Sequence, residues 1–220
     1  MKKRPLKFSA MITSVALAAI FAGLWLAAIY RGNDSRVMLL PDKVMTLFPD
    51  PRPLTAFALT DHQNRVFDLA SLKSKWSFLF FGYTHCPDIC PTTLTILARA
   101  RDNIAKSGVG AEDIQIVFIS VDPNRDTASK LKQYVAHFHT AFLGVTGDDA
   151  QIGNLAGQLG AAYQVAITPG MENYPVYHSA AVFLVDPQAR YHAVFTPPLD
   201  AGVISTRFKV VRELETGNAT

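Results

Sequence analysis

The stretch WSFLFFGYTHCPDICP, residues 76–91, combines an apolar run with the only two cysteines of the chain. The run over 76–83 is nearly continuous apolar sequence, which is typical of a strand buried on both faces of a sheet. Pro91 directly follows Cys90, and proline is favoured at the first position of a helix. The stretch therefore predicts a buried strand, a loop that contains Cys86, and a helix that begins near Cys90.

Strand and helix patterns alternate on both sides of this stretch. We predict buried strands over 76–83 and 114–121 and a short strand over 142–145. Helices are predicted over 91–106, 126–138, 148–161 and 199–215, and hairpins over 57–61 with 66–69 and 180–185 with 191–195. This alternation predicts a mixed central sheet covered by helices, and hence an α/β domain over residues 54–220.

The amino-terminal segment has the pattern of a membrane anchor. Residues 8–30 carry no charged side chain, and 23 residues span roughly 34 Å as a helix, enough to cross a bilayer core of about 30 Å. A cleaved signal peptide is the alternative, but its apolar core is usually about 7–15 residues long. The positive charges before the run are Lys2, Lys3, Arg4 and Lys7. We expect residues 1–31 to cross a bacterial inner membrane once, with the domain facing the periplasm.

Residues 32–53 separate the anchor from the domain. They show no sustained periodicity and contain Pro41, Pro49, Pro51 and Pro53. Prolines at this density favour an extended spacer, so the segment is predicted to be a proline-rich tether.

The charge distribution gives no support for nucleic-acid binding. Five of the 21 Lys and Arg residues precede Asp34, whereas all 18 acidic residues lie from Asp34 onward. The exported part therefore has 16 basic and 18 acidic residues, a formal charge of −2. The positive net charge of the whole chain comes from its amino terminus, where it indicates orientation in a membrane. No other Lys/Arg cluster suggests a basic groove.

The cysteine pair allows three interpretations. Outside the cytoplasm, Cys86 and Cys90 can form a structural disulfide, a redox couple or a metal site. A disulfide across so short a loop removes little chain entropy, so a structural role is disfavoured. Unpaired backbone N–H groups at the start of a helix favour the thiolate. Two thiolates are soft ligands that suit Cu(I), and Zn(II) remains an alternative.

A third metal ligand has to come from elsewhere, and His178 is the best candidate. It follows the loop 168–177, which contains Pro169, Gly170 and Pro175, and precedes an apolar strand. Such a loop can carry the imidazole over the cysteines, although an ordinary loop histidine remains the alternative. We assign the other five histidines to surface, helix-end or loop positions: His62, His85, His137, His139 and His192.

Three motifs resemble the Sco/SenC family of thioredoxin-fold copper proteins. GYTHCPDICP (82–91) resembles the family's cysteine signature, SVDPNRDT (120–127) its second motif, and His178 occupies the place of its third copper ligand. The similarity covers roughly residues 54–215. It implies a thioredoxin-like fold in which Cys86, Cys90 and His178 bind one copper ion.

The resemblance also implies a function and partners. Members help deliver copper to the dinuclear site of cytochrome c oxidase, or keep its cysteines reduced, so the expected partners are the copper-site subunit of that oxidase and a copper donor protein. Asp122 and Asp126 are interpreted as support for the site or its loops, with helix capping by Asp126 as the alternative. Tyr177 stands where family members often have Asp. If that Asp orients the imidazole, its absence weakens the site.

Two other functions use the same cysteines. A thiol–disulfide oxidoreductase or peroxidase would use Cys86 and Cys90 as a catalytic redox pair, one attacking and one resolving. A redox sensor that signals through a partner is the third possibility. His178 distinguishes copper delivery from thiol–disulfide exchange, because tight copper binding needs this residue and dithiol exchange does not.

Overall fold

The computed structural model describes residues 44–108, 110–167 and 174–217, together with Ala19, residues 21–23 and Met38–Leu39. The predicted anchor over 8–30 lies outside the described residues, apart from helical positions at Ala19 and 21–23. Within the described part of the chain, no helix has both the length and the apolar character that a membrane crossing requires. The chain divides into two compact units, Met1–Arg36 and Val37–Thr220, and the sheet and the candidate site belong to the second.

Over the described residues, a mixed sheet of nine strands forms the centre of this unit. In spatial order the strands are β1 (Met38–Leu39), β2 (Met45–Pro53), β11 (Arg190–Phe195), β10 (Val182–Val185), β5 (Trp76–Gly82), β6 (Ile114–Ser120), β7 (Leu143–Thr146), β3 (Ala58–Asp61) and β4 (Val66–Asp68). The neighbours β5, β6 and β7 are parallel, and all other pairs are antiparallel. Strands β8 (Tyr163–Val165) and β9 (Val176–His178) form a separate antiparallel pair.

Five described helices cover the sheet: α1 (Leu69–Leu72), α2 (Ile89–Lys106), α3 (Ala128–Phe138), α4 (Asp149–Leu159) and α5 (Ala201–Gly217). Their starts follow from local sequence, since Asp68, Thr127 and Asp148 each accept hydrogen bonds from backbone N–H groups of the first helical turn. Helix α4 ends at Gly160, whose positive φ of 71° suits a residue without a Cβ.

Strand β5 is buried on both faces, as its apolar run predicts. All seven of its residues are buried. Phe78 and Phe80 belong to the core cluster that includes residues of α2, α3 and α5, whereas Leu79 and Phe81 belong to the cluster on the other face, with α4. Because successive side chains of a strand point to opposite faces, this single strand contributes to both cores.

The predicted alternation of strands and helices from Trp76 onward is confirmed. The order β11-β10-β5-β6 in the sheet, with helices α2, α3 and α5 between or after these strands, is a thioredoxin-like arrangement. The hairpin β8–β9 is absent from the prediction. Its strands have three residues each, too short for a periodic pattern to be read.

Residues 45–53, assigned above to the tether, form strand β2 instead. Met45 and Leu47 are buried in the core, and β2 pairs with β11 at both of its ends, with a register shift between them. Pro49 and Pro51 fall in this interruption, where no residue of β11 or β1 is their partner. Proline has no N–H to donate to a strand ladder, and a bulged or edge position tolerates it. The domain therefore begins before residue 54.

Candidate metal centre

The two cysteines lie where β5 passes into α2. Cys86 is half-buried in the connecting loop, and Cys90 is fully buried at the second position of the helix. The helix begins at Ile89, two residues before the start that Pro91 predicts, with Asp88 at its N-cap. The Cys90 N–H donates to Cys86 Sγ at 3.4 Å, and the Cys86 N–H donates to the Tyr83 carbonyl at 3.2 Å. The start of the helix therefore directs a backbone donor at the Cys86 sulfur.

Gly82, the last residue of β5, leaves the space that Cys90 occupies. A Cβ added at Gly82 would lie 2.5 Å from Cys90 Sγ and 2.8 Å from Cε2 of Phe118. Both separations are far below ordinary van der Waals contact. Glycine is required here by the close approach of the Cys90 sulfur.

His178, the last residue of β9, brings an imidazole to the cysteines. Its Nε2 lies 3.3 Å from Cys90 Sγ, and its Nδ1 lies 3.1 Å from the Ser179 carbonyl oxygen. A carbonyl only accepts, so Nδ1 is assigned the proton and Nε2 keeps its lone pair for the site. The rings of Phe80 and Tyr83 stand edge-on to the imidazole, with centroids at 5.9 and 5.8 Å. The imidazole is therefore fixed by one hydrogen bond and two aromatic contacts.

One potential ligand atom from each of Cys86, Cys90 and His178 lies within 4.8 Å of the other two. Among the described residues, this is the only group of three or more His, Cys, Asp or Glu side chains with that proximity. Both cysteines are free thiols. The three residues singled out from the sequence thus converge, and their role as ligands stays a prediction.

The two thiols have opposite acidities. The hydrogen bond with the Cys90 thiol lowers the pKa of Cys86 to about 4, helped by hydrogen bonds with the backbone N–H groups of Cys90 and Asp88. Burial raises the pKa of the Cys90 thiol far above its usual range. At neutral pH the metal-free site therefore contains one thiolate and one protonated thiol. Binding of a metal ion by both sulfurs has to displace the Cys90 proton.

Asp126 supports the loop that bears Cys86. This fully buried carboxylate accepts hydrogen bonds from the Thr84 N–H at 2.8 Å and the Ser120 hydroxyl at 2.6 Å, and also from the Thr84 hydroxyl. The capping alternative for Asp126 is wrong, because Thr127 caps α3 and accepts from the Lys130 N–H.

Asp122 contacts the segment that leads to His178. Its carboxylate is fully buried and accepts hydrogen bonds from the Tyr174 hydroxyl at 2.6 Å and from Nε of Arg125. Sequence reasoning missed Tyr174 and Arg125. The available signal was a tyrosine next to a proline in a loop otherwise rich in small and polar residues.

The remaining histidines lie outside the cluster. His85 is half-exposed, and its Nε2 lies 2.9 Å from Lys130 Nζ. The surface position that the hairpin context indicates for His192 is wrong, because His192 is 4% exposed and lies edge-on to Trp76. His62 is partly exposed, with Nδ1 accepting from the Gly144 N–H.

Cys86 and His178 line an open cleft of about 300 Å³, and Cys90 lies buried beneath it. Its lining includes Cys86, Ile89, Tyr177 and His178. Tyr177 is 63% exposed, and Ile89 is also exposed. The site is therefore buried on the Cys90 side and accessible from solvent on the Cys86 side.

The fold and the site together define a thioredoxin-like protein in which an imidazole lies next to the cysteine pair. Residues 50–212 match the SCO1/SenC family, and the chain belongs to this family.

Individual relatives agree with this assignment. A protein of Stutzerimonas stutzeri named for copper binding is 35% identical over 164 residues, which are 74% of this chain and 79% of that protein. The mitochondrial SCO2 homolog of Bos taurus is 36% identical over 135 residues, 61% of this chain and 50% of the bovine protein. The crystal structure of Arabidopsis thaliana ScoI with copper bound is 35% identical, with a TM-score of 0.64 over 74% of this chain and 98% of that one.

Proposed function

We propose that this chain binds one copper ion through Cys86, Cys90 and His178, and that it delivers the ion to the dinuclear copper site of cytochrome c oxidase or maintains the thiols of that site. The observation that carries the proposal is the convergence of two sulfurs and one imidazole nitrogen within 4.8 Å. A relative named for copper binding and a similar structure solved with copper bound support it.

The donor set fits copper. Thiolate sulfur is a soft ligand that favours Cu(I), and imidazole suits copper as well as zinc. A structural zinc site is usually closed by four protein ligands. The cluster here has three candidate ligands and faces an open cleft, which suits an ion that is passed on.

The arrangement of the two cysteines supports transfer by ligand exchange. Cys86 is half-buried beside the cleft, so a partner's sulfur or nitrogen can reach an ion on that side first. Cys90 is enclosed and regains its proton as the ion leaves, because burial favours its neutral form. Release is thereby helped by reprotonation of the buried thiol.

The amino-terminal segment supports a location on a membrane. Residues 8–30 are uncharged and long enough to form a single crossing. In this proposal the segment holds the domain on the periplasmic side of a bacterial inner membrane, near an oxidase in the same membrane. The partners are then the copper-site subunit of that oxidase and a protein that donates the copper.

Cu(I) binding by the full chain in detergent, reduced and anaerobic, tests the proposal against a chromogenic chelator. We expect one equivalent to bind tightly and each of Cys86→Ala, Cys90→Ala and His178→Ala to abolish tight binding. His85→Ala is the matched control, because this histidine adjoins Cys86 but lies outside the cluster. Wild-type affinity in His178→Ala would contradict the three-ligand site.

A thiol–disulfide oxidoreductase is the second candidate, favoured by the low pKa of Cys86. The Cys86 thiolate would attack a substrate disulfide and release one substrate thiolate. Cys90 would then lose its proton and attack Cys86 Sγ, which releases the second thiolate and leaves a Cys86–Cys90 disulfide. The raised pKa of Cys90 opposes this second step. Turnover of a disulfide substrate by the chain, unchanged in His178→Ala and without tight Cu(I) binding, would favour this candidate.

A further inference from the structure

The three candidate ligands belong to two segments that no common strand pairing joins. Cys86 and Cys90 lie after β5, in the main sheet, whereas His178 ends β9. Within the described residues, β9 pairs only with β8 and is not part of the main sheet. The chain holds the end of β9 near the cysteines, because His178 lies four residues before Val182 of β10, which pairs with Phe80 of β5. The start of β9 is not held in this way and depends on side-chain contacts between the two segments.

One such contact is the hydrogen bond from Tyr174 to Asp122. Tyr174 lies two residues before β9, and its hydroxyl is 2.6 Å from Asp122 Oδ1. Both side chains are buried, so the bond is shielded from water and involves a charged acceptor. It ties the start of the histidine segment to the loop that follows β6.

Arg125 contacts both segments at once. Its guanidinium carbon lies 3.7 Å from the ring centroid of Tyr174 and 5.8 Å from that of Tyr83. Tyr83 belongs to the cysteine segment, and its ring is edge-on to His178. Arg125 also donates to Asp122, which fixes the guanidinium between the two rings.

Asp126 completes the connection on the cysteine side through its hydrogen bonds with Thr84. Residues 122–126 thus hold the cysteine segment at Thr84 and Tyr83, and the histidine segment at Tyr174. The separation of only four residues between the two aspartates makes this loop a short connection between the halves of the site.

We propose that Tyr174 and Arg125 are positioning residues for copper, which act through residues 122–126 to hold His178 at the cysteines. This inference rests on the proposed function where Cu(I) affinity is measured. Its second measurement, hydrogen exchange, uses the metal-free chain. Replacing Tyr174 by Phe removes the hydroxyl and keeps the ring on Arg125. Tyr191→Phe is the matched control, because Tyr191 is a buried tyrosine of the same core cluster on strand β11.

Copper affinity provides the first test, in the full chain. Supporting side chains of metal ligands typically contribute about 10- to 100-fold to metal affinity. We expect Tyr174→Phe to weaken Cu(I) binding by about tenfold and Tyr191→Phe to leave it unchanged. In the His178→Ala background, Tyr174→Phe is expected to have no further effect on the residual Cu(I) affinity, because its route to the ion is already removed. An equal loss in both backgrounds would overturn the proposal in favour of general destabilisation.

Hydrogen exchange of the metal-free chain provides the second test. The Ser179 N–H donates to the Ala162 carbonyl and the Ala166 N–H to the Pro175 carbonyl, which ties the ends of the β8–β9 hairpin together. We expect Tyr174→Phe to accelerate exchange in peptides over 162–166 and 174–179, with β5 and β6 unchanged. Unchanged exchange in the hairpin would overturn the proposal even if copper binds. If the wild-type chain binds no Cu(I) while the hairpin loosens in Tyr174→Phe, the proposed function fails, and the role of Tyr174 in holding the His178 segment at the cysteines stands without copper.

Discussion

Gly82→Ala tests whether the position of the Cys90 sulfur sets both the stability and the copper affinity of the site. The new Cβ would lie 2.5 Å from Cys90 Sγ and 2.8 Å from Phe118 Cε2, about 1 Å inside ordinary contact with each. Overpacking of this kind in a tight core costs about 1–3 kcal/mol. Two responses are available, because either the sulfur stays and the fold is strained, or the sulfur moves.

These two responses are measured by different quantities. If the sulfur stays, the free energy of unfolding of the metal-free chain falls by about 1–3 kcal/mol. If the sulfur moves, its 3.3 Å contact with His178 Nε2 is lost and the strain reappears when copper binds, which lowers Cu(I) affinity by about 5- to 150-fold. Urea unfolding of the metal-free chain and anaerobic chelator competition measure the two losses. We expect their sum to be about 1–3 kcal/mol.

Gly157→Ala is the matched control, because Gly157 lies in α4 with nothing within 4 Å of an added Cβ. In an exposed helix this substitution is expected to stabilise by about 0.5–1 kcal/mol, with copper affinity unchanged. Gly82→Ala with wild-type stability and wild-type affinity would refute the reasoning, since the added methyl group would then have found space that the structure does not contain.

Three further predictions concern the same site. Asp126→Asn keeps one oxygen that can accept from the Thr84 N–H and the Ser120 hydroxyl but removes the negative charge and the second acceptor oxygen, so urea unfolding should show a loss of about 1–3 kcal/mol, and a loss below a few tenths would contradict the assigned contacts. Because the pKa of Cys86 is lowered to about 4, alkylation of Cys86 by iodoacetamide in the metal-free chain should stay near its maximal rate from pH 8 to 6 and fall only as pH approaches 4. A midpoint of the rate profile near the usual thiol pKa would show that the thiolate is not stabilised. Tyr177→Ala should leave Cu(I) affinity within about twofold, because the Ser179 carbonyl oxygen accepts from the His178 ring, and a large loss in chelator competition would assign the orienting role to Tyr177.

The parts of the fold that repeat a strong local pattern were predictable. The apolar run at β5 and the alternation that follows it were evident in the sequence, because burial on two faces and regular strand and helix periods leave local signatures. Strand β2 was not predictable in this way. Its prolines indicate a spacer when counted by density, and only the pairing with β11 shows that the segment is a strand whose ladder is interrupted at Pro49 and Pro51.

The candidate site also has parts that a local sequence pattern predicts and parts that it does not. Cys86 and Cys90 are close in sequence, so their proximity follows from spacing, whereas the approach of His178 depends on a hairpin whose strands are too short to be recognised. Asp126 precedes a helix and was a reasonable capping residue by position. Its actual partners, Thr84 and Ser120, lie in other segments, and no local rule identifies contacts at that separation.

One half of the site is held in the core, and the other half is attached through another segment. This arrangement affects how an ion can be both bound and released. Cys90 lies in the core and His178 is held by contacts from another segment, so these two groups can keep their geometry while Cys86 exchanges its partner at the open cleft. A site built wholly on one rigid element would hold its ion from all sides and release it slowly. Under the proposed positioning role, the buried hydrogen bond from Tyr174 to Asp122 contributes to copper retention. A change at this contact would then alter copper retention without changing a proposed ligand.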